Sequence, residues 1–174
     1  ADSAGADIIS TSLGYSNFDD ASQNYTYSQM NGNTARITIA SDIASSKGML
    51  LVNSAGNSGD EPWKYITAPA DADSIITVGA CKRNNKRVKF SSKGPTFDGR
   101  VKPDIMALGL YPTIVTPTGK VRNASGGTSF SCPLLAGCCA TLWEEFPDSS
   151  AQAIKTAILK SGDRYKKPNY KYGN

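Results

Sequence analysis

The run Ser125-Gly126-Gly127-Thr128-Ser129-Phe130-Ser131-Cys132-Pro133 holds the residues best suited to chemistry. A Gly-Gly pair lets the backbone turn sharply and lets a second backbone or a substrate come close. The stretch from Ser129 to Glu145 reads as a helix that is apolar on most sides and therefore belongs inside a protein. Ser129 then stands in its first turn, where unpaired N–H groups and the positive end of the helix dipole face outward. A hydroxyl there suits a nucleophile, because those N–H groups can stabilise a developing oxyanion. Pro133, four residues on, has no amide to offer the Ser129 carbonyl, which loosens the first turn around the serine. Taken singly, Thr128 or Ser129 can equally be a helix cap and nothing more. Asn57, in the turn-forming loop 53–59, taken singly reads as an Asn that tolerates a left-handed backbone.

The elements that must position these residues follow from the apolar pattern. With 174 residues, 39% apolar and 20% charged, the chain fits one globular domain over residues 1–174. Residues 6–14 read as a short strand ending at the Gly14 turn, and residues 15–33 as a polar surface loop with about one helical turn. Residues 35–46 bring Ile37, Ala40, Ile43 and Ala44 into helical register, with Gly48 as the C-terminal cap. Met49-Leu50-Leu51-Val52 follows as a buried strand, so strand, helix and strand make a βαβ unit and a parallel sheet. Residues 74–80 form another buried strand. Residues 83–86 form a turn, and 105–107 and 113–115 are further short strands. Ser149-x-x-Gln152 resembles a capping box that opens a last helix bearing Ile154, Ala157 and Ile158 on one face. The fold class is α/β, a mostly parallel sheet flanked by helices. The Ala68-Pro69 bond is expected trans, as most such bonds are.

Several function classes fall away. No run approaches the ~20 apolar residues of a membrane-spanning helix, so no membrane partner is expected. No aromatic-and-basic module points to nucleic acid. The net charge of +4 is modest, and Lys160, Arg164, Lys166, Lys167 and Lys171 read as a solvated basic surface. Cys81, Cys132, Cys138 and Cys139 form no C-x-x-C pair and the chain has no histidine, so no zinc set is expected and the thiols read as buried. Asp71, Asp73 and Asp98 read as exposed loop acids. No metal and no cofactor is called for. A plain α/β nucleotide-binding domain is disfavoured, since no G-x-G-x-x-G follows a strand.

Gly127-Thr128-Ser129-x-x-x-Pro133-x-x-Ala136-Gly137 closely resembles the nucleophile motif of the subtilisin-like serine peptidases. Ser54-Ala55-Gly56-Asn57-Ser58-Gly59 is similar to that family's oxyanion-asparagine segment, and residues 7–14 to the strand and turn lining its substrate groove. The runs 77–80, 90–95 and 102–105 fit as well, all in the family's order. The resemblance implies a partial subtilisin-like fold, with this chain as the C-terminal part of the peptidase domain and the N-terminal part absent. It implies that Ser129 attacks the scissile carbonyl to form an acyl-enzyme, while the Asn57 amide and the Ser129 N–H hold the oxyanion. Ser12, Leu13 and Gly14, with Ser54, Ala55, Gly56 and Thr128, would border the substrate, a peptide or protein added as an extra strand. A secreted, periplasmic or cell-surface location is implied by the same likeness.

The departures are as informative. Leu108 stands where the family usually has Pro, and Leu134 where it often has His. A serine hydroxyl needs an adjacent general base, yet the chain holds no histidine and no Ser-x-x-Lys. The family's triad runs Asp, His, Ser, so Asp and His are expected upstream of Ala1, and the chain alone is expected to be inactive. It is expected to associate with that missing part or with itself. A non-catalytic, peptide-binding relative of the same fold is the alternative. The sedolisin-type peptidases, whose oxyanion residue is an Asp, resemble it less.

Overall fold

In the computed structural model, which describes residues 1–174, the apolar runs pair as one four-stranded sheet. Strands β1 (Ile8–Thr11), β2 (Leu50–Ser54), β3 (Ile76–Cys81) and β4 (Ile105–Leu108) lie in that order, every neighbour parallel. The inner strands β2 and β3 are buried along their whole length, as unbroken apolar runs covered on both faces must be. Helix α1 (Arg36–Ser46) joins β1 to β2 and completes the expected βαβ unit, with Gly48 left-handed just beyond its end at φ 93°. Helix α2 (Thr128–Glu145) lies across all four strands, and α3 (Ala151–Lys160) packs beside it. Because side chains alternate across a sheet, Leu50 and Val52 face α2 with Ile76, Val78, Leu135 and Cys139. Leu51 faces the other way, packed with Met49 and Ile75 and with Ala44 of α1 against them. The α/β class expected from the sequence is the one observed.

The differences have physical causes. Helix α1 does not bury Ile37, Ala40, Ile43 and Ala44 as a stripe: Thr38 and Ser41 are its buried residues, and Ile39 and Ile43 are exposed. Thr38 turns inward because its hydroxyl donates to Asp71 Oδ1 at 2.6 Å. Helix α2 is covered by the sheet on one side only, so Leu134 and Cys138 stand in solvent while Cys132, Leu135 and Cys139 are sealed. The thiols are therefore not all buried. Ser150, not Ser149, caps α3, accepting from the Ala153 amide. The loop 15–33 holds two 3-10 turns, Ala21–Gln23 and Tyr27–Gln29. The Ala68-Pro69 bond is cis. Thr113–Val115 (β5) pairs with a strand not foreseen, β6 (Val121–Asn123), an antiparallel hairpin too exposed to carry an apolar signal. No helix is long and apolar enough to cross a membrane.

Asp71 is not an exposed loop acid but fully buried, and it ties three segments together. Its Oδ2 accepts from the Gly32 amide at 2.9 Å, its Oδ1 from Thr38, and its carbonyl from Arg100 Nη1 at 2.8 Å. Arg100 also pairs with Asp73 and Asp98, at 2.6 and 2.7 Å. Replacing Asp71 by Ala leaves the Gly32 N–H and the Thr38 hydroxyl without partners, each costing about 1–3 kcal/mol when buried. Asp71→Ala is expected to lower stability by roughly 2–4 kcal/mol in chemical denaturation. An unchanged midpoint would show that the buried carboxylate is dispensable.

Candidate active site

Parallel strands put all their carboxyl ends on one edge of a sheet, where ligands of such folds bind. Here that edge gathers residues 12–14 after β1, residues 55–59 after β2 and, over them, the start of α2. The approach to α2 is tight: the Gly127 amide donates to the Gly109 carbonyl at 2.8 Å, and a Cβ on Gly126 would sit 2.9 Å from that same oxygen. Only glycine lets the chain cross β4 this closely, and at Gly126 the φ of +154° adds to the requirement.

Thr128 opens α2 and fixes Asn57. Its backbone N–H and its hydroxyl both donate to Asn57 Oδ1, each at 2.9 Å, and its Oγ1 accepts from the Gly56 amide at 3.3 Å. With the amide oxygen engaged twice, the Asn57 NH2 group is left to face outward. The loop carrying Asn57 is held from behind, since the Ser92 amide donates to the Gly56 carbonyl at 2.9 Å and Ser92 Oγ accepts from the Ser58 amide at 3.1 Å. Asn57 Nδ2 and the Ser129 backbone N then lie equally far, 3.7 Å, from the point a Cβ on Gly127 would occupy. These two nitrogens, 72 positions apart in the chain, both lie beside Gly127 at the start of α2. Phe130 Cδ2 lies 3.7 Å from the same point and forms an apolar wall.

Pro133 has the effect its chemistry requires. The Ser129 carbonyl lacks the amide four residues on, and Ser12 Oγ donates to it in that amide's place at 3.0 Å. Ser12 is thus turned toward the serine while Leu13 and Gly14 stay exposed at the edge. Across from them Ser54 and Ala55 are buried and Gly56 half-buried. Asn53 Nδ2 spans the two segments, donating to the Leu13 carbonyl at 3.4 Å. One turn beyond Ser129, the buried Cys132 thiol donates to the Val52 carbonyl at 3.2 Å and anchors α2 to β2.

All the residues singled out in the sequence, Ser129, Asn57, Thr128, 12–14 and 54–56, border this one edge. Sequence reading passed over Phe130 and Ser92. Ser92 had a signal, since the Phe90-Ser91-Ser92 run matched family surroundings, but nothing in its type marked it as a support of Asn57.

Against known proteins the chain matches the model of the subtilase family over residues 1–174. It is 31% identical over 147 residues to the serine protease AprX of Bacillus subtilis (strain 168), covering 73% of this chain and 33% of that protein. It is 30% identical over 155 residues to subtilisin DY of Bacillus licheniformis, covering 88% and 48% respectively. Among solved structures, the prenylagaramide maturation protease PagA superposes with a TM-score of 0.69 at 27% identity, over 91% of this chain and 52% of that one. Sphericase shares the fold with a TM-score of 0.69 at 24% identity, covering 95% and 55%. The chain belongs to the subtilase family. It spans between a third and about half the length of these curated relatives.

The thiols on α2 report its packing. Burial pushes the Cys139 thiol up to about 11, helped by neighbouring thiols, and raises Cys132 for the same first reason. At pH 8 Cys139 is then ionised in roughly one molecule per thousand, while Cys138 is exposed. A thiol reagent at pH 8 is expected to modify Cys138 first and to reach Cys132 and Cys139 only on unfolding; four equal rates would contradict this packing. Because the folded form of Cys139 keeps its proton longer than the unfolded form, its contribution to stability is complete below about pH 9. It is lost as the pH rises through about 11.

Proposed function

We propose that this chain forms the serine-bearing part of an endopeptidase that cleaves peptide bonds through an acyl-enzyme on Ser129. The observation that carries this reading is the double hydrogen bond by which Thr128 holds the Asn57 side chain at the start of α2, beside Ser129. Ser129 Oγ adds to the scissile carbonyl, whose oxygen takes up negative charge between the Asn57 amide and the Ser129 N–H. Collapse of the intermediate breaks the C–N bond, expels the amine with the serine's proton, and leaves an ester that water then hydrolyses. Thr128 sets the Asn57 amide, and the edges formed by residues 12–14 and 54–56 receive the substrate as an added strand.

The chain holds no histidine to take the serine's proton, so the proposed base and its aspartate lie in an upstream segment of the same protein. Two features support a docking partner of that kind. Strand β1 has no neighbour on its outer edge, and an unpaired edge is a template for further pairing. The outer face of α2 leaves Leu134 and Cys138 in solvent. Without the upstream part, the chain associates with itself through those surfaces. The family likeness supports a site of action outside the cytoplasm, secreted, periplasmic or on the cell surface.

A serine-directed fluorophosphonate is expected to label Ser129 in the protein extended upstream, not after Ser129→Ala, and scarcely in this chain alone. Equal labelling of both forms would show that the base is elsewhere; no labelling of the extended form would favour a peptide-binding relative that has lost its chemistry. Asn57→Ala is expected to lower turnover by about 10²–10³, the loss on removing one oxyanion donor, a magnitude measured on subtilisin itself. Binding of the upstream part is expected to shield Cys138 from thiol reagents. Cys138 equally reactive in both forms would place the interface elsewhere.

A further inference from the structure

The basic tail of the chain has a second basic run folded against it. Residues 82–93 carry Lys82, Arg83, Lys86, Arg87, Lys89 and Lys93 and no acid. Residues 160–174 carry Lys160, Arg164, Lys166, Lys167 and Lys171 and one acid, Asp163. The two runs meet. The Gly94 amide donates to the Tyr170 carbonyl at 2.9 Å, and the Arg87 amide to the Tyr172 hydroxyl at 3.4 Å. The Arg164 guanidinium lies over the Tyr172 ring, 4.7 Å from its centre. Asn174 fastens the end of the tail, its backbone N–H and its Nδ2 both donating to the Asp104 carbonyl at 2.9 Å.

Folding thus gathers eleven of the chain's 19 basic residues with one of its 15 acidic ones, a patch of +10 on a chain whose remainder carries −6. Nine of the eleven are exposed, while Arg87 and Lys93 are half-buried. None forms an ion pair, since the chain's ion pairs belong to Arg100 and Lys102. Like charges held together repel, so the patch costs stability that nothing within the chain offsets. Arg164 lines two clefts, one of about 270 Å³ shared with Asn85 and Tyr172, the other of about 460 Å³ shared with Lys160, Lys166 and Lys167. Tyr165 also lines the second cleft, and Tyr165 and Tyr170 are each 44% exposed.

We propose that this patch binds an anionic polysaccharide, a stiff sugar chain bearing repeated sulfate or carboxylate groups. Eight of the eleven cations are lysines, which act as point charges and do not grip one anion in a rigid fork as arginine does. Such a set matches a polymer of repeated charges, not a single bound ion. Each cation that neutralises a polymer charge releases a counterion, which drives the association. The clefts accept a chain, where a flat bilayer would touch only their rims. Tyrosines in such a place pack their rings against the C–H faces of sugars while their hydroxyls stay wet. A chain of rings loses less conformational freedom on binding than an acidic peptide does, and no nucleic-acid module accompanies the patch.

The test measures binding of the upstream-extended protein to heparin, with polyglutamate, duplex DNA and vesicles of anionic lipid as the other arms. Heparin is expected to bind the most tightly of the four, and to weaken at least about tenfold between roughly 50 and 200 mM salt. Lys166→Glu, Lys167→Glu and Lys171→Glu together are expected to weaken heparin binding by about tenfold or more. Lys82→Glu, Arg83→Glu and Lys86→Glu together are expected to do the same, because both runs face one ligand. Lys47→Glu, Lys120→Glu and Arg122→Glu reverse three exposed cations outside the patch and change the net charge equally. That set is expected to leave binding within about threefold, since charges beyond a screening length of the ligand contribute little. Equal losses in all three sets, or no loss in either patch set, overturn the patch. Polyglutamate, duplex or vesicles binding as tightly as heparin or more so overturns the sugar polymer as the partner, and no binding to heparin does so outright. Proteolysis is not read, so the outcome is independent of the peptidase reading above.

Discussion

The site depends on the paired hydrogen bonds from Thr128 to the Asn57 amide oxygen. A primary amide on an exposed loop can present either its oxygen or its nitrogen, and only the nitrogen can stabilise negative charge. Two donors at 2.9 Å remove that freedom. Flipping the amide would set an NH2 group against the Thr128 N–H, which can only donate, losing a bond worth about 1 kcal/mol and leaving two donors face to face. For Thr128 to reach Asn57, the start of α2 must meet the end of β2, and the parallel sheet supplies that meeting. The Gly126-Gly127 pair lets the chain pass over Gly109 closely enough to arrive there.

The remaining pieces are secured to one another in a chain of similar contacts. Pro133 deprives the Ser129 carbonyl of its helical partner, and Ser12 fills the vacancy. The segment after β1 is thereby tied to the residue proposed to attack. Asn53 holds Leu13 from β2, and Ser92 holds Gly56 and Ser58 from below. None of these residues does chemistry in the proposed mechanism. Their effect is to fix three loop segments on rigid strand and helix ends, which gives a site its precision.

Sequence made the framework readable where burial is strong. The run Met49–Val52 and the stretch 74–80 read as buried strands, and the inner strands β2 and β3 fall on them with their bounds shifted by one or two residues. Where polar contacts compete with apolar pattern, the pattern misled. Thr38 faces inward, its hydroxyl 2.6 Å from the buried Asp71 carboxylate, and the face expected from Ile37, Ala40, Ile43 and Ala44 is not the one that is sealed. The grouping of Ser129 with Asn57 was legible only through family resemblance, because neither residue alone differs from a cap or a turn. The run holding Ser92 was legible as family-like, but its support of the Asn57 loop was not, since that contact joins segments distant in sequence and brought together by folding.

In the proposed enzyme the chemistry of acyl transfer is divided, with the groups suited to the electrophile's charge on this chain, which has no histidine to take the nucleophile's proton. Helix α2 spans that division, with Ser129 in its first turn and the uncovered Leu134 and Cys138 one to three turns along. Apolar surface left in water forgoes about 25 cal/mol for each Å² that burial would remove. Whatever covers that face is therefore drawn to the helix that orients the serine. In the proposed enzyme, the contact that hides the apolar face and the contact that delivers the base become one event. Assembly and activation are then the same equilibrium, set by how much of α2 the partner buries.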